Sequence, residues 1–352
     1  MNQIKGPGIF LAQFIQDEAP FNSLSEIGQW VADLGYKSVQ LPTWDKRIFD
    51  LELAYESDSY CDEVKGTLQD LGLQISELST HLQGQLVAVH PTYDKQLDAF
   101  APLEFQGNAQ ARTQWAIAQL KMAATVSEKL ALTAHASFSG SLLWPSVYPW
   151  PQRPSGLIDE GFAELAKRWT PILDTFLDRG VDVCFELHPS EDLHDGATFE
   201  RFLTATNAHP AANILYDPSH FVLQQLDYLA FIDHYHERIK AFHVKDAEFR
   251  MNGKSGVYGG YQDWQHRPGR FRSLGDGQID FKQVFSKLTQ YGFDGWAVLE
   301  WECCIKDAHE GAKEGAPFIN KHLIKPAQRA FDDFASSQAD SQLNRQILGL
   351  ME

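Results

Sequence analysis

The sequence is poor in cysteine, and the few cysteines it has form no recognisable metal or redox motif. Cys61, Cys184, Cys303 and Cys304 show no C-x-x-C spacing. We therefore expect reduced thiols, as is usual for a cytoplasmic protein, with Cys184 buried in a strand.

Positive charge and long apolar runs are also scarce. The chain has 30 Lys and Arg against 47 Asp and Glu, which gives a formal net charge of −17. Such a surface repels phosphate backbones, so we expect no nucleic-acid partner. No stretch approaches the roughly 18 apolar residues of a membrane span, and the N-terminus lacks the charged-then-apolar pattern of a signal peptide. We expect a cytoplasmic protein without a membrane partner.

What is present is a recurring alternation of short β-prone runs and amphipathic helical segments. The predicted strands are residues 8–14, 38–42, 74–79, 131–135, 181–185, 214–216, 239–243 and 296–299. The predicted helices are residues 24–34, 60–71, 109–130, 160–180, 198–208, 226–236 and 279–291, followed by a polar helical tail from residue 317. This rhythm predicts an α/β fold, a (β/α)8 TIM barrel over residues 1–335 with a C-terminal helical tail over 336–352.

Four of the predicted strands end in a side chain that can bind a metal. Glu186, Asp217, His243 and Glu300 follow their strands at spacings of 31, 26 and 57 residues. The first two spacings each fit one strand-plus-helix unit, and the third fits one such unit with a long inserted loop. Because parallel barrels collect the C-terminal ends of their strands around one mouth, we expect these side chains to meet there.

Three carboxylates and one imidazole form an oxygen-rich ligand set with a net charge of −3. That set suits one divalent ion, Mn²⁺ or Mg²⁺ first and Co²⁺ or Zn²⁺ as alternatives, and octahedral geometry leaves two positions for substrate oxygens. A single polar residue at a strand end is more often an ordinary hydrogen-bonding group. Four at successive strand ends favour a metal site.

Five motifs resemble those of the sugar phosphate isomerase/epimerase family, the xylose isomerase-like TIM barrels. They are Glu186-Leu187-His188-Pro189, Tyr216-Asp217-Pro218-Ser219-His220, Phe242-His243-Val244-Lys245-Asp246, Gly275-Asp276-Gly277-Gln278-Ile279-Asp280-Phe281 and Gly295-Trp296-Ala297-Val298-Leu299-Glu300. The resemblance runs from the second strand past the seventh helix and is most specific over residues 181–302.

The resemblance implies that Glu186, Asp217, His243 and Glu300 hold one divalent metal. It also implies that Glu186 and Glu300 act as acid and base on opposite faces of a bound ketose. His188 and His220 resemble the family's contacts to substrate oxygens, and we group Lys245 of the third motif with them.

This ligand set suits chemistry at a carbon next to a carbonyl. A carboxylate can remove such a weakly acidic proton only when the resulting enediolate is stabilised, and a chelated cation provides that stabilisation. We therefore expect a metal-dependent isomerase or epimerase acting on a keto-sugar or related carbohydrate. A lyase or dehydratase acting on a keto-sugar, an inosose or a 3-keto-glycoside uses the same intermediate and stays open. A DNA-repair endonuclease of the related barrel type and an inactive binding subunit are further alternatives, and the net charge disfavours the endonuclease.

Several assignments near the mouth stay open in the sequence. Glu302 lies two residues after Glu300 and is the alternative ligand, although the family pattern favours Glu300. Arg270, like its neighbour Arg272, is a candidate to grip a substrate phosphate or carboxylate, or else a partner for nearby acids. Trp144 is a candidate stacking surface for a sugar ring, as are Trp44 and Trp301, with core packing as the alternative for all three.

Two long segments, 137–154 and 248–276, interrupt the alternation. The first is rich in aromatic residues and proline, which predicts a lid or pocket wall at the mouth, or an apolar patch that covers a barrel end or packs in a homo-oligomer. The second is rich in glycine and arginine and is predicted to be irregular.

Overall fold

The computed structural model describes residues 3–327 and 340–350 of the chain. Within them lie the strands β1 (Lys5–Phe10), β2 (Ser38–Pro42), β3 (Gln74–Ser79), β4 (Ala134–Ser137), β5 (Asp182–Glu186), β6 (Ala212–Tyr216), β7 (Ile239–Val244), β8 (Asp246–Phe249), β9 (Gly269–Arg272) and β10 (Trp296–Leu299). The predicted boundary between barrel and tail at residues 335 and 336 falls outside the described residues.

Eight of these strands close into a parallel barrel in the order β1-β10-β7-β6-β5-β4-β3-β2. This confirms the predicted (β/α)8 barrel. The predicted bounds of β2, β3 and β10 agree with the structure, whereas β1 begins and ends earlier than predicted and β4 begins and ends later.

The described helices are α1 (Leu24–Asp33), α2 (Leu51–Glu56), α3 (Asp58–Asp70), α4 (His81–Gln85), α5 (Asp94–Leu97), α6 (Ala109–Lys129), α7 (Leu157–Asp178), α8 (Gly196–Ala205), α9 (Pro218–Gln224), α10 (Tyr228–Tyr235), α11 (Phe281–Gln290), α12 (Ala308–His322) and α13 (Ser341–Ile347). Short 3-10 turns occur at Pro91–Tyr93, Asp98–Phe100, Leu103–Phe105, Trp144–Ser146 and Gly259–Tyr261. The seven predicted helices correspond to α1, α3, α6, α7, α8, α10 and α11. In the tail, α12 begins before the predicted start at residue 317.

The prediction of an irregular segment at 248–276 was wrong in one respect. Its ends pair as an antiparallel hairpin, β8 with β9, that rises from the barrel directly after β7. Asp246 fixes the return of the chain, because its carboxylate accepts the backbone N–H groups of Gly275, Gly277 and Ile279. A Cβ atom at Gly277 would lie 2.1 Å from Oδ1 of Asp246, so the close approach requires glycine.

The segment after β4 is anchored to the loop after β5. Oε2 of Glu191 accepts the N–H of Gly140 at 2.6 Å, and the carboxylate of Asp192 accepts the N–H groups of Leu142 and Leu143 at 2.7 and 2.8 Å. These bonds hold the base of the predicted lid against the barrel mouth.

The core is built from the apolar faces of strands and helices, and Cys184 is fully buried in β5 as predicted. All four cysteines are free thiols. Among the described residues, no helix is both long and apolar enough to cross a membrane.

Candidate metal centre

The structure brings the four predicted ligands together at the C-terminal ends of four barrel strands. One ligand atom from each of Glu186, Asp217, His243 and Glu300 lies within 4.8 Å of the others. Glu186 ends β5, Asp217 follows β6, His243 lies in β7 and Glu300 follows β10. All four are buried, with Glu300 the most accessible at 6%.

Asp217 is aimed into the cluster by the start of a helix. It is the N-cap of α9, where Oδ1 accepts the N–H of Ser219 at 2.8 Å and Pro218 occupies the first turn. Its other oxygen, Oδ2, is buried and accepts no hydrogen bond within the described residues. Burial raises the pKa of Asp217 to about 6, even though His220 and Lys245 oppose the shift. A buried carboxylate oxygen without a donor is suited to bind a cation.

His243 is oriented by contacts on both ring nitrogens. Nδ1 lies 3.0 Å from Oε2 of Glu300, and Nε2 lies 3.1 Å from Oε1 of Gln40 on β2. Because that amide oxygen can only accept, Nε2 of His243 carries a proton and Nδ1 is the nitrogen that faces the carboxylates. Burial by itself lowers the pKa of His243, but Glu300 outweighs it and raises the pKa to about 9.

Glu186 accepts a hydrogen bond on each oxygen. Oε1 lies 2.7 Å from Nε2 of His220, and Oε2 lies 2.8 Å from Nε2 of His81. Burial raises the pKa of this carboxyl, but the two imidazole contacts more than offset it and hold the pKa well below the usual range. Glu186 is therefore a carboxylate at neutral pH.

Lys245 supplies positive charge beside the cluster. Its ammonium lies 3.0 Å from Oε2 of Glu300, 3.5 Å from Oδ2 of Asp217 and 2.6 Å from Oε2 of Glu302. Lys245 is 2% exposed, whereas the side chain of Glu302 is 39% exposed. Glu302 is outside the group of four candidate ligand atoms, which includes Glu300, and its carboxylate contacts Lys245.

Among His188, His220 and Lys245, the substrate contacts predicted from the motifs, His188 alone is partly exposed. It is half-buried, and its Nδ1 lies against the carbonyl oxygen of Pro189. Since a carbonyl only accepts, the proton is on Nδ1, and Nε2 is left as an acceptor in the neutral ring. Burial lowers the pKa of His188 to about 3, which keeps the ring neutral. His220, by contrast, is fully buried next to Glu186.

In the structure, Arg270 and Trp144 contact residues other than the four predicted ligands. The guanidinium of Arg270 donates to Oε1 of Glu248 at 2.7 Å and to the carbonyl of Gln265 at 2.5 Å. Trp144 packs edge-on against His194 and lines a cavity of about 230 Å³ whose lining includes none of the four ligands. The geometry thus favours the pairing alternative for Arg270 and gives Trp144 no contact with the cluster.

Three residues that contact the predicted ligands were not among the site residues predicted from the sequence. Gln40 orients His243, Gln13 donates to Oε1 of Glu300 at 3.1 Å, and His81 contacts Glu186. The one signal available for Gln40 was a polar residue in the middle of an apolar strand. Gln13 lies in the turn after β1, and His81 begins α4 just past the end of β3; at neither position does the sequence indicate the contact.

Comparison with known proteins matches this chain to a family model, to curated relatives and to solved structures. The family model described as xylose isomerase-like TIM barrel matches residues 29–322. The inosose dehydratase of Bacillus velezensis is 27% identical over 150 residues, which are 42% of this chain and 50% of that protein. The alignment thus spans about half the length of the curated relative.

Two solved structures share the fold at low identity. The probable 3-DHS dehydratase from Bacillus anthracis is 15% identical with a TM-score of 0.61, covering 90% of this chain and 99% of that one. The 3-keto-D-glucoside 4-epimerase from E. coli is 12% identical with a TM-score of 0.59, covering 89% and 98%.

Proposed function

Because this chain belongs to the xylose isomerase-like TIM barrel family, we propose that it is a divalent-metal-dependent lyase that removes water from an uncharged keto-polyol. The observation that carries the proposal is the buried group of Glu186, Asp217, His243 and Glu300, with ligand atoms within 4.8 Å of one another. The relatives named inosose dehydratase favour elimination of water over epimerisation, although epimerisation is the reaction that the sequence motifs favour.

The donor set fits a divalent cation. Atoms that share an ion at about 2.1 Å lie up to about 4.2 Å apart, close to the span of the four candidate atoms. Oδ2 of Asp217 is buried and, in the described part of the chain, accepts no hydrogen bond, with the Lys245 ammonium 3.5 Å away. Nδ1 of His243 faces the carboxylates because Gln40 occupies Nε2. We propose that these four residues hold one ion, with Mn²⁺ or Mg²⁺ preferred by the oxygen-rich set.

When bound, the ion compensates the negative charge that develops on the substrate as its carbon-bound proton leaves. The chain itself supplies the base, since Glu186 and Glu300 both have pKa values below the usual range despite their burial. The carboxylate that takes the proton from the carbon next to the carbonyl can return it to the hydroxyl on the following carbon. The C–O bond there breaks, water leaves, and a double bond forms between the two carbons. Nε2 of His188 is suited to accept a hydrogen bond from another substrate hydroxyl.

The pairing of the cations supports an uncharged substrate. Arg270 and Arg272 both contact Oε1 of the buried Glu248, at 2.7 and 2.9 Å. Lys245 is held by Glu300 and Glu302. Lys245, Arg270 and Arg272 are therefore already paired with carboxylates, and a substrate phosphate would have to displace a carboxylate to reach them.

An epimerase is the second candidate. The specific observation in its favour is that two ionised carboxylates, Glu186 and Glu300, belong to one ligand group, as needed to remove a proton from one face of a substrate and return it to the other. The E. coli 3-keto-D-glucoside 4-epimerase has the same fold, which allows either reaction.

The experiment incubates the Mn²⁺-loaded protein with an inosose in D₂O and follows the products by NMR and mass spectrometry. We expect a product lighter by one water, formed by the wild type and lost in Glu300→Gln. Deuterium at the carbon next to the carbonyl, with every oxygen retained, would favour the epimerase instead. Neither exchange nor water loss on inososes or ketoses would contradict both candidates.

A further inference from the structure

A buried serine and a buried histidine are joined by a hydrogen bond, and the histidine contacts Glu186. Ser79 is the last residue of β3, and His81 begins α4 two residues later. Oγ of Ser79 lies 2.5 Å from Nδ1 of His81, and Nε2 of His81 lies 2.8 Å from Oε2 of Glu186. Ser79 is fully buried and His81 is 4% exposed, so water does not compete for these contacts.

The direction of the first bond follows from the donors and acceptors present. A buried hydroxyl that donates to nothing costs about 1–3 kcal/mol. Nδ1 of His81 is the hydrogen-bond partner of the Ser79 hydroxyl among the described residues. The Ser79 proton therefore points at Nδ1, which must accept it through its lone pair.

That direction determines the state of the imidazole. With Nδ1 as an acceptor, the ring carries its proton on Nε2, which faces the Glu186 carboxylate. The opposite tautomer would set a nitrogen lone pair against a carboxylate oxygen and would leave the serine proton without an acceptor. Both features favour the same arrangement.

The ring also has little freedom to turn. Phe138 packs edge-on against His81 with centroids 4.5 Å apart, and Phe10 lies at 5.7 Å. The imidazole is thus held in place by its neighbours as well as by its two polar contacts.

We infer that Ser79 and His81 are positioning residues for Glu186: the Ser79 hydroxyl fixes the tautomer of His81, and Nε2–H of His81 fixes Oε2 of Glu186. This leaves the carboxylate with one orientation toward the other three ligands. The inference rests on the proposed function only in treating Glu186 as a metal ligand and base. Hydrogen-bonded partners of this kind typically change metal affinity or activity by 10–100-fold when removed.

The first test is spectroscopic and needs neither metal nor substrate. Nitrogen-15 NMR of histidine-labelled protein at neutral pH should show His81 with its proton on Nε2 in the wild type. In Ser79→Ala the Nδ1 signal should shift, because that nitrogen loses its hydrogen-bond donor. A proton on Nδ1, or protons on both nitrogens, in the wild type would overturn the inference.

The second test measures Mn²⁺ affinity by calorimetry in matched variants. Ser79→Ala should bind Mn²⁺ about tenfold more weakly, and Ser79→Thr should restore binding because it keeps the hydroxyl. Ser38→Ala is the control, since Ser38 is a fully buried serine on the neighbouring strand β2 whose Oγ has no hydrogen bond in the described part of the chain. Unchanged affinity in Ser79→Ala, or an equal loss in Ser38→Ala, would contradict the positioning role.

The outcomes separate this inference from the proposed function. If the protein acts on neither inososes nor ketoses, the proposed function fails while the tautomer and Mn²⁺ results still decide the role of Ser79. If the tautomer is the opposite one, the inference fails while water loss from an inosose still stands.

Discussion

Lys245 allows a quantitative test of how positive charge stabilises the buried carboxylate cluster. Its ammonium lies within 3.5 Å of oxygens from Glu302, Glu300 and Asp217 and is almost fully buried. At an effective dielectric of 20, unit charges 3.0 Å apart attract by about 5 kcal/mol, and removing one partner of a buried pair costs about 3–5 kcal/mol net. Lys245→Met should therefore lower the free energy of unfolding by about 3 kcal/mol or more in the absence of metal, measured by urea denaturation.

A divalent cation should reverse this loss of stability. Because Mn²⁺ supplies the positive charge that Lys245→Met removes, saturating Mn²⁺ should stabilise the variant by more than it stabilises the wild type. At one fixed Mn²⁺ concentration, a tenfold lower Kd in the variant would add about 1.4 kcal/mol to its stabilisation relative to the wild type, which urea denaturation can measure.

The control for this prediction is Lys306→Met. Lys306 also pairs with two carboxylates, Asp276 at 2.8 Å and Glu314 at 2.6 Å, but its side chain is 18% exposed. We expect a loss below about 1 kcal/mol and no effect of Mn²⁺. Equal losses in the two variants, or a greater gain from Mn²⁺ in the wild type than in Lys245→Met, would refute the reasoning.

Two further predictions concern residues around the ligands. Gln40→Leu removes the acceptor for Nε2 of His243, so Mn²⁺ affinity measured by calorimetry should fall about tenfold; unchanged affinity would contradict the orienting role of Gln40. Burial raises the pKa of Glu191 from 4.5 to about 8, so the folded state binds its proton more tightly and stability falls as pH rises between those values. Glu191→Gln should flatten that part of the stability profile in urea titrations, and an unaltered slope would show that Glu191 does not titrate there.

Much of the barrel could be predicted because strand-like and helical segments alternate regularly and four of the strand-like segments end in a candidate metal ligand. Each of the strands β5, β6, β7 and β10 has a candidate ligand at or directly after its C-terminal end. In a parallel barrel those ends lie around the same mouth. Glu186, Asp217 and His243 therefore followed from order along the chain, whereas the choice of Glu300 over Glu302 depended on the family resemblance.

What the sequence could not predict depends on contacts between distant segments. The β8–β9 hairpin has strands of four residues each, and it is held by the pairing of Arg270 and Arg272 with Glu248 and by the hydrogen bonds of Asp246. Such short strands carry too little alternation to be recognised. The start of α9, by contrast, could have been predicted from the sequence, because Asp217 followed by Pro218 is typical of a helix N-terminus.

The central claim, that four buried residues form one divalent-metal site, is tested most directly by elemental analysis of the purified protein. Wild type and Glu302→Gln should each retain about one divalent ion per chain, and Glu300→Gln should lose it, because Glu300 belongs to the ligand group while Glu302 pairs with Lys245. Full metal content in Glu300→Gln, or loss of the ion in Glu302→Gln, would contradict the assignment.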